Sequence, residues 1–214
     1  MTQANNDFPW IILSAGHEPR DQGSSEHEIV TQICWYAVGS LQQHELREYI
    51  NVIPVPALRL EDKIDFVNEN VRVLRGRGLS SLALEVHLDH GQPTARGVTT
   101  YHRSKNALTR HVGRAMLKVL QGASFKDRGA RPDTERLAWV RQTDGPALVL
   151  KYGYVTNEDD LMQYHESPQA RYSAGQLLAH AIVAGGLEMQ ARQRGPKAGT
   201  HTAREWRDGK IQGN

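Results

Sequence analysis

Ser81-Leu82-Ala83-Leu84-Glu85-Val86-His87-Leu88 decides the fold class. Leu82, Leu84, Val86 and Leu88 alternate with Ala83, Glu85 and His87, the period-two pattern of a β-strand. One face is wholly aliphatic, and the other carries a carboxylate and an imidazole toward the strand's end. Working outward, residues 10–14 form a second apolar run that stops at a glycine-containing turn. Ile29, Ile33, Ala37 and Leu41 then recur at helical spacing. Residues 50–55 read as a strand, and Ile64, Val67, Val71 and Leu74 form a helical stripe after an acidic start at Glu61-Asp62. Leu108, Val112, Ala115 and Val119 mark a further helix, residues 136–141 and 146–151 two further strands, and Tyr172 to Met189 a long closing helix. No segment repeats at a fixed period. This alternation predicts a single-domain α/β fold, a mostly parallel twisted sheet flanked by helices, with ligands gathering at the carboxyl ends of the strands. His17, His87 and Lys151 all fall at such ends.

The chain has 214 residues, the size of one α/β domain with a full core. The expected organisation is a flexible N-terminus over residues 1–8, a folded domain over 9–190, and a basic flexible tail over 191–214. The formal net charge is only +2. In the tail Arg192, Arg194, Lys197, Arg204, Arg207 and Lys210 face only Glu205 and Asp208, and apolar periodicity is lacking. Such a tail suits an anionic partner, a wall polymer or nucleic acid, or simply a solvated terminus. The single cysteine, Cys34, lies in an apolar helical stretch and reads as a buried small hydrophobe. No apolar run is long enough to span a bilayer, and the first ten residues lack the basic flank and apolar stretch of a secretory signal. Synthesis in the cytoplasm is the expectation.

Five segments carry a resemblance. Ser14-Ala15-Gly16-His17-Glu18-Pro19-Arg20-Asp21-Gln22-Gly23 places an aspartate four residues after the histidine and a glycine two further on. Glu26-His27-Glu28-Ile29 opens the first helix, and Leu84-Glu85-Val86-His87 ends the third strand. Gly97-Val98-Thr99-Thr100-Tyr101 and the stretch from Pro146 to Asn157 follow in order. Together, over residues 9–190, they resemble the zinc-dependent N-acetylmuramoyl-L-alanine amidases of the amidase-3 type. The resemblance implies an amidase-3-like fold, hydrolysis of the bond between N-acetylmuramic acid and L-alanine, and the peptidoglycan stem peptide as substrate. It implies zinc held by His17, Glu26 and His87, and a catalytic glutamate where this chain has Lys151. A wall substrate, set beside the polar N-terminus, suggests a phage endolysin or a virion-borne enzyme acting at the bacterial cell wall.

Two imidazoles and one carboxylate leave a zinc ion with a net positive charge and an open position, which lowers the pKa of water to about 7. Glu26 is preferred to Glu28 as the carboxylate because Ile29, Ile33 and Ala37 lie three, seven and eleven residues on, along the same helical face. Glu28 is the reserve, and Ser25-x-x-Glu28 also reads as a capping box. His27, His90 and His102 read as surface residues, Asn157 as a helix cap, and Asp21 as a turn former. Lys151 leaves three outcomes open: a neutral amine acting as base, another carboxylate in the role, or a catalytically impaired relative that binds cell wall or serves in a virion. Glu18, directly after His17, is the first substitute, and Glu85 the second. A zinc peptidase acting on another amide is a further reading of the same ligand set.

Overall fold

A computed structural model of the protein describes residues 8–16, 25–164 and 167–194. The chain runs through β1 (Trp10–Ala15), α1 (Ser25–Leu41), a short α2 (His44–Arg47), β2 (Asn51–Pro54), α3 (Leu60–Gly76), β3 (Ser81–Asp89) and β4 (Val98–His102). It continues through α4 (Ala107–Gly122), β5 (Asp127–Pro132), α5 (Ala138–Gln142), β6 (Ala147–Tyr154), α6 (Glu158–Met162) and α7 (Pro168–Arg194). The six strands form one sheet in the order β2-β1-β3-β6-β4-β5. β2, β1, β3 and β6 are parallel neighbours, whereas β4 runs antiparallel to β6 and parallel to β5. The expected mostly parallel α/β sheet is therefore present.

The alternation read from β3 sorts the core into two layers. Leu82, Leu84, Val86 and Leu88 pack with Ile29, Ile33 and Ala37 of α1 and with residues of α4 and α7. Ala83 and Ile12 pack on the opposite face with Ile64, Val67, Val71 and Leu74 of α3 and with Trp139 and Val140. After β1 the chain moves to β2 on one side, then crosses back to β3 on the other. Right-handed connections therefore place α1 and α3 on opposite faces, and the reversal opens a crevice at the carboxyl ends of β1 and β3.

Three expectations need correction. Residues 136–141 do not form a strand: Ala138–Gln142 is the helix α5. Its ends are satisfied from elsewhere, with the Asp133 carboxylate accepting from the Leu137 amide at 3.2 Å and Arg103 donating to the carbonyls of Val140, Arg141 and Thr143. Trp139 and Val140, adjacent in sequence, are both buried in the same core layer, whereas neighbouring residues of a strand point to opposite faces. The closing helix extends past Met189 to Arg194, so residues 191–194 belong to it; the rest of the predicted tail, and residues 1–7, lie outside the described residues. His102 is buried on β4, bonded through Nδ1 to the Arg103 carbonyl at 3.0 Å, and is not a surface residue. The cap at Asn157 is as expected, its side chain accepting from the Asp160 amide.

Asp160 ties the start of β4 to the end of β6. Its Oδ2 accepts from the Gly97 amide at 2.7 Å and the Tyr154 amide at 2.9 Å. Burial pushes its carboxyl up, against the downward pull of those two amides. Asp160→Ala should destabilise the fold by roughly 2–4 kcal/mol, because two buried amides lose their acceptor. Asp160→Asn keeps an acceptor and should cost little. A raised folded pKa means that the contribution of Asp160 is full below the ordinary carboxylate range and declines as pH rises through the raised value. Asp160→Asn should therefore gain on the natural protein from acid to neutral pH in denaturant titrations; a constant difference would refute this account.

Candidate active site

The crevice is built from strand ends in register. Gly16 donates its amide to the Val86 carbonyl at 2.6 Å, which fixes the end of β1 against β3. Ser14 stands beside Glu85, and His87 stands opposite Lys151, which is in turn opposite Thr99 of β4. Register partners share a face, so His87, Lys151 and Thr99 form one polar row. Beyond it the β3–β6 ladder shifts between His87 and Asp89, where β6 carries one extra residue. Gly153, at φ +97°, supplies the backbone conformation in that segment.

The His87 ring lies flat against Gly16: a Cβ there would come within 2.5 Å of ring atoms. Its Nε2 is 2.8 Å from Oε2 of Glu85, whose carboxylate is 4 % exposed. With Nε2 bonded to Glu85, Nδ1 is the ring atom that would ligate a metal were one bound, and Glu85 would be its orienting carboxylate. Glu26 is also buried, at 7 % exposure, and its Oε1 contacts Nε2 of His90. Glu28 faces away: its carboxylate accepts from Arg171 of α7 at 3.2 Å and from Gln32 at 3.0 Å. Of the two glutamates, Glu26 is the buried one and Glu28 is held on the outer side of α1 by Arg171 and Gln32. His17, Glu18 and Asp21 lie outside the described residues.

Lys151 does not point into solvent as an ordinary surface lysine. Its side chain is 15 % exposed, and its Nζ is 3.7 Å from Oδ1 of Asp89. Asp89 also receives the His90 amide at 3.1 Å and faces Tyr154, whose phenol is pushed up first by burial and then by Asp89. Tyr101 is pushed up likewise, by burial and by its hydrogen bond to Glu135. Both phenols stay protonated and act as hydrogen-bond donors.

Sequence reasoning missed three participants. Asp89 directly follows the stretch 81–88 read as a strand, which in the structure extends to include it, and its period-two spacing with Glu85 and His87 is the signal that finds it. His90 was set aside, and its contact with Glu26 spans the fold. Lys63, buried within the stripe of α3, donates from Nζ to the Ala15 carbonyl at 2.7 Å and anchors the last turn of β1; nothing in its neighbourhood in sequence marks it. Cys34 is buried as expected, and burial pushes its thiol up to about 12, which removes it as a nucleophile at neutral pH.

Among the described residues no group of three or more His, Cys, Asp or Glu side chains converges as a metal site; they supply two pairs, Glu85 with His87 and Glu26 with His90. An open, mostly parallel sheet with polar residues in the crevice at its carboxyl edge defines a class of α/β proteins with a strand-end site. A family model described as N-acetylmuramoyl-L-alanine amidase matches residues 11–184, and the chain belongs to that family. A comparison with curated proteins found no match. Among solved structures, the chain is similar to an N-acetylmuramoyl-L-alanine amidase from Clostridium difficile 630, with TM-score 0.68 and 18 % identity over 89 % of this chain and 100 % of that one. It is also similar to the catalytic domain of the amidase CwlV from Bacillus (Paenibacillus) polymyxa var. colistinus, with TM-score 0.63 and 19 % identity over 83 % and 95 %. The catalytic domain of the CD27L endolysin targeting Clostridia difficile aligns with TM-score 0.58 and 16 % identity over 82 % and 97 %. At these identities the likeness establishes the fold.

Proposed function

We propose that this chain is a zinc-dependent amidase that hydrolyses the bond between N-acetylmuramic acid and the L-alanine of the peptidoglycan stem peptide. The observation that carries this reading is the seating of His87, oriented by Glu85 and packed on the glycine that leads into His17, in a chain of the amidase family. The donor types fit zinc, for which imidazole and carboxylate are ordinary ligands. His17, Glu26 and His87 would hold the ion. When bound, it would supply the Lewis acidity that polarises an amide carbonyl and activates water.

The remaining work falls to side chains. Glu85 fixes the tautomer and direction of His87. Lys151, anchored by Asp89 in the same row as His87, is a fixed positive charge at the site's edge, placed to stabilise negative charge developing on the substrate. Glu18 is the carboxylate that would take a proton from the attacking water and deliver it to the departing L-alanine nitrogen. A second reading is favoured by the Lys151–Asp89 pair itself: an ammonium held by a carboxylate does not accept a proton, and the fold would then serve to bind cell wall without cutting it.

The purified protein should carry about one zinc per chain under zinc-replete conditions, as three protein ligands and an open position require. His87→Ala should lose it while remaining folded. Metal analysis that finds no zinc in the natural protein, or full zinc in a His17→Ala/His87→Ala double variant, would remove the metal from the mechanism.

A further inference from the structure

Two arginines of β5 stand at the rim of the crevice with no part in the chemistry described so far. We propose that Arg128, supported by Arg131, binds a carboxylate of the stem peptide there and so sets which peptides the site accepts. The proposal deepens the amidase reading above and rests on it.

β5 is irregular where it meets the crevice end of the sheet. β4 advances two residues from Val98 to Thr100 while β5 advances three from Asp127 to Ala130, so β5 carries one extra residue. Gly129, at φ +93°, takes the conformation that such a bulge needs, and its amide donates to the Asp127 carboxylate at 2.7 Å. A bulge re-aims side chains. Arg131 is the register partner of Tyr101 and so lies on the face of Thr99 and Lys151; Arg128, three residues earlier, would point to the opposite face of a regular strand. With the extra residue the Arg128 guanidinium stands over the Tyr154 ring, 5.1 Å from its centroid, and Arg131 Nε donates to the Arg128 carbonyl at 2.9 Å. Tyr154 ends β6 opposite Asp89, which also holds Lys151. Through Tyr154 and Asp89, Arg128 is joined to the polar row of the crevice.

The charges around the two arginines decide what they can bind. The neighbouring carboxylates are engaged: Asp159 by Arg96, Asp89 by Lys151 and the Tyr154 phenol, Asp127 by the Gly129 amide, and Glu135 by the Tyr101 phenol. Arg128 and Arg131 have no carboxylate partner among the described residues. Stacking on Tyr154 occupies the face of the Arg128 guanidinium and leaves its edge, where Nη1 alone is bonded, to the Arg96 carbonyl at 3.4 Å. A planar edge with free donors suits a carboxylate, which it can meet with two parallel bonds. The second residue of the stem peptide, a D-glutamate linked through its side chain, offers its α-carboxyl as a carboxylate, or as a carboxamide in amidated walls. That group lies roughly 7 Å from the scissile nitrogen at about 3.5 Å per residue, and β6, which carries Tyr154, is one strand spacing of ~4.8 Å from β3. A peptide cleaved beside His87 therefore brings its carboxylate within reach of Arg128.

The test uses the full chain as purified and two peptides without a scissile bond, L-alanyl-γ-D-glutamyl-L-lysine amide with the glutamate α-carboxylate free, and the same peptide with that group as a carboxamide. Calorimetry gives the affinity for each. The natural protein should prefer the carboxylate by about tenfold or more, the scale of a hydrogen bond to a charged group. Arg128→Gln should abolish the preference and leave the affinity for the carboxamide unchanged, and Arg128→Lys should keep part of it. Arg131→Gln should lower the preference by about threefold, as an exposed supporting charge does. Neither arginine is buried, so the variants should fold. Equal affinity of the natural protein for both peptides, an undiminished preference in Arg128→Gln, or an equal loss for both peptides, as a purely structural stack on Tyr154 would give, overturns the proposal and leaves the amidase reading standing. A natural protein that binds neither peptide yet releases stem peptides from peptidoglycan has the same meaning; one that does neither overturns both.

Discussion

Lys151→Glu should raise the release of stem peptides from purified peptidoglycan by about a hundredfold or more, the scale of positioned general acid–base assistance. The position lies opposite His87 across the β3–β6 ladder, so a carboxylate there reaches the same crevice as the candidate ligands. The natural side chain cannot do this work while its ammonium is held 3.7 Å from Asp89. The substitution also sets two carboxylates side by side, and like charges at that distance oppose each other. Lys151→Glu/Asp89→Asn removes the conflict and should equal or exceed the single variant. If neither variant releases peptides while the natural protein still binds peptidoglycan, the chain is a wall-binding member of its family.

The same assay separates the two carboxylates proposed as substitutes. Glu18→Gln should abolish the residual turnover of the natural protein with zinc retained, because it removes a proton carrier and no ligand. Glu85→Gln should instead weaken zinc binding, because the Glu85 carboxylate is buried and already bonded to His87. A positioning residue shows itself in metal affinity, a proton carrier in turnover and its pH profile.

What could be read from sequence followed burial. β1, β3 and β6 are buried strands with apolar patterns that no other element imitates, and the α3 stripe of Ile64, Val67, Val71 and Leu74 faced inward as spaced. β5, Asp127–Pro132, escaped because it is a polar edge strand whose hydrogen bonds come from β4 on one side. α5 was misread because Trp139 and Val140 suit a strand by composition, whereas the donors and acceptors that close the helix sit on Arg103 and Asp133. At the site, the strand-end positions of His87 and Lys151 were legible from period and motif. The pairings were not, since Glu26 with His90 and Lys151 with Asp89 depend on how α1 and the β3–β6 ladder meet. Glu28 illustrates the point: sequence leaves it an alternative ligand or a capping residue, and a contact with Arg171, 143 positions away, turns it aside.

Gly16→Ala should abolish activity and zinc binding together. The added Cβ would lie 2.5 Å from Nδ1 and Cε1 of His87, closer than carbon and ring atoms can pack. The backbone cannot yield easily, because the Gly16 amide is bonded to the Val86 carbonyl and the preceding carbonyl is held by buried Lys63. The imidazole must therefore swing off its seat, which breaks its 2.8 Å bond to Glu85 and takes a candidate ligand out of the crevice. A drop in turnover of about a hundredfold or more is expected, as small displacements in a preorganised site carry large penalties. The fold itself should lose only about 1–3 kcal/mol, the usual cost of overpacking. Gly39→Ala is the matched control: that glycine sits in α1 with nothing within 4 Å of the new Cβ, and the change should stabilise the helix by about 1 kcal/mol with function intact. Normal zinc content and turnover in Gly16→Ala would mean that His87 is not held where the site requires it, and the metal reading would lose its main support.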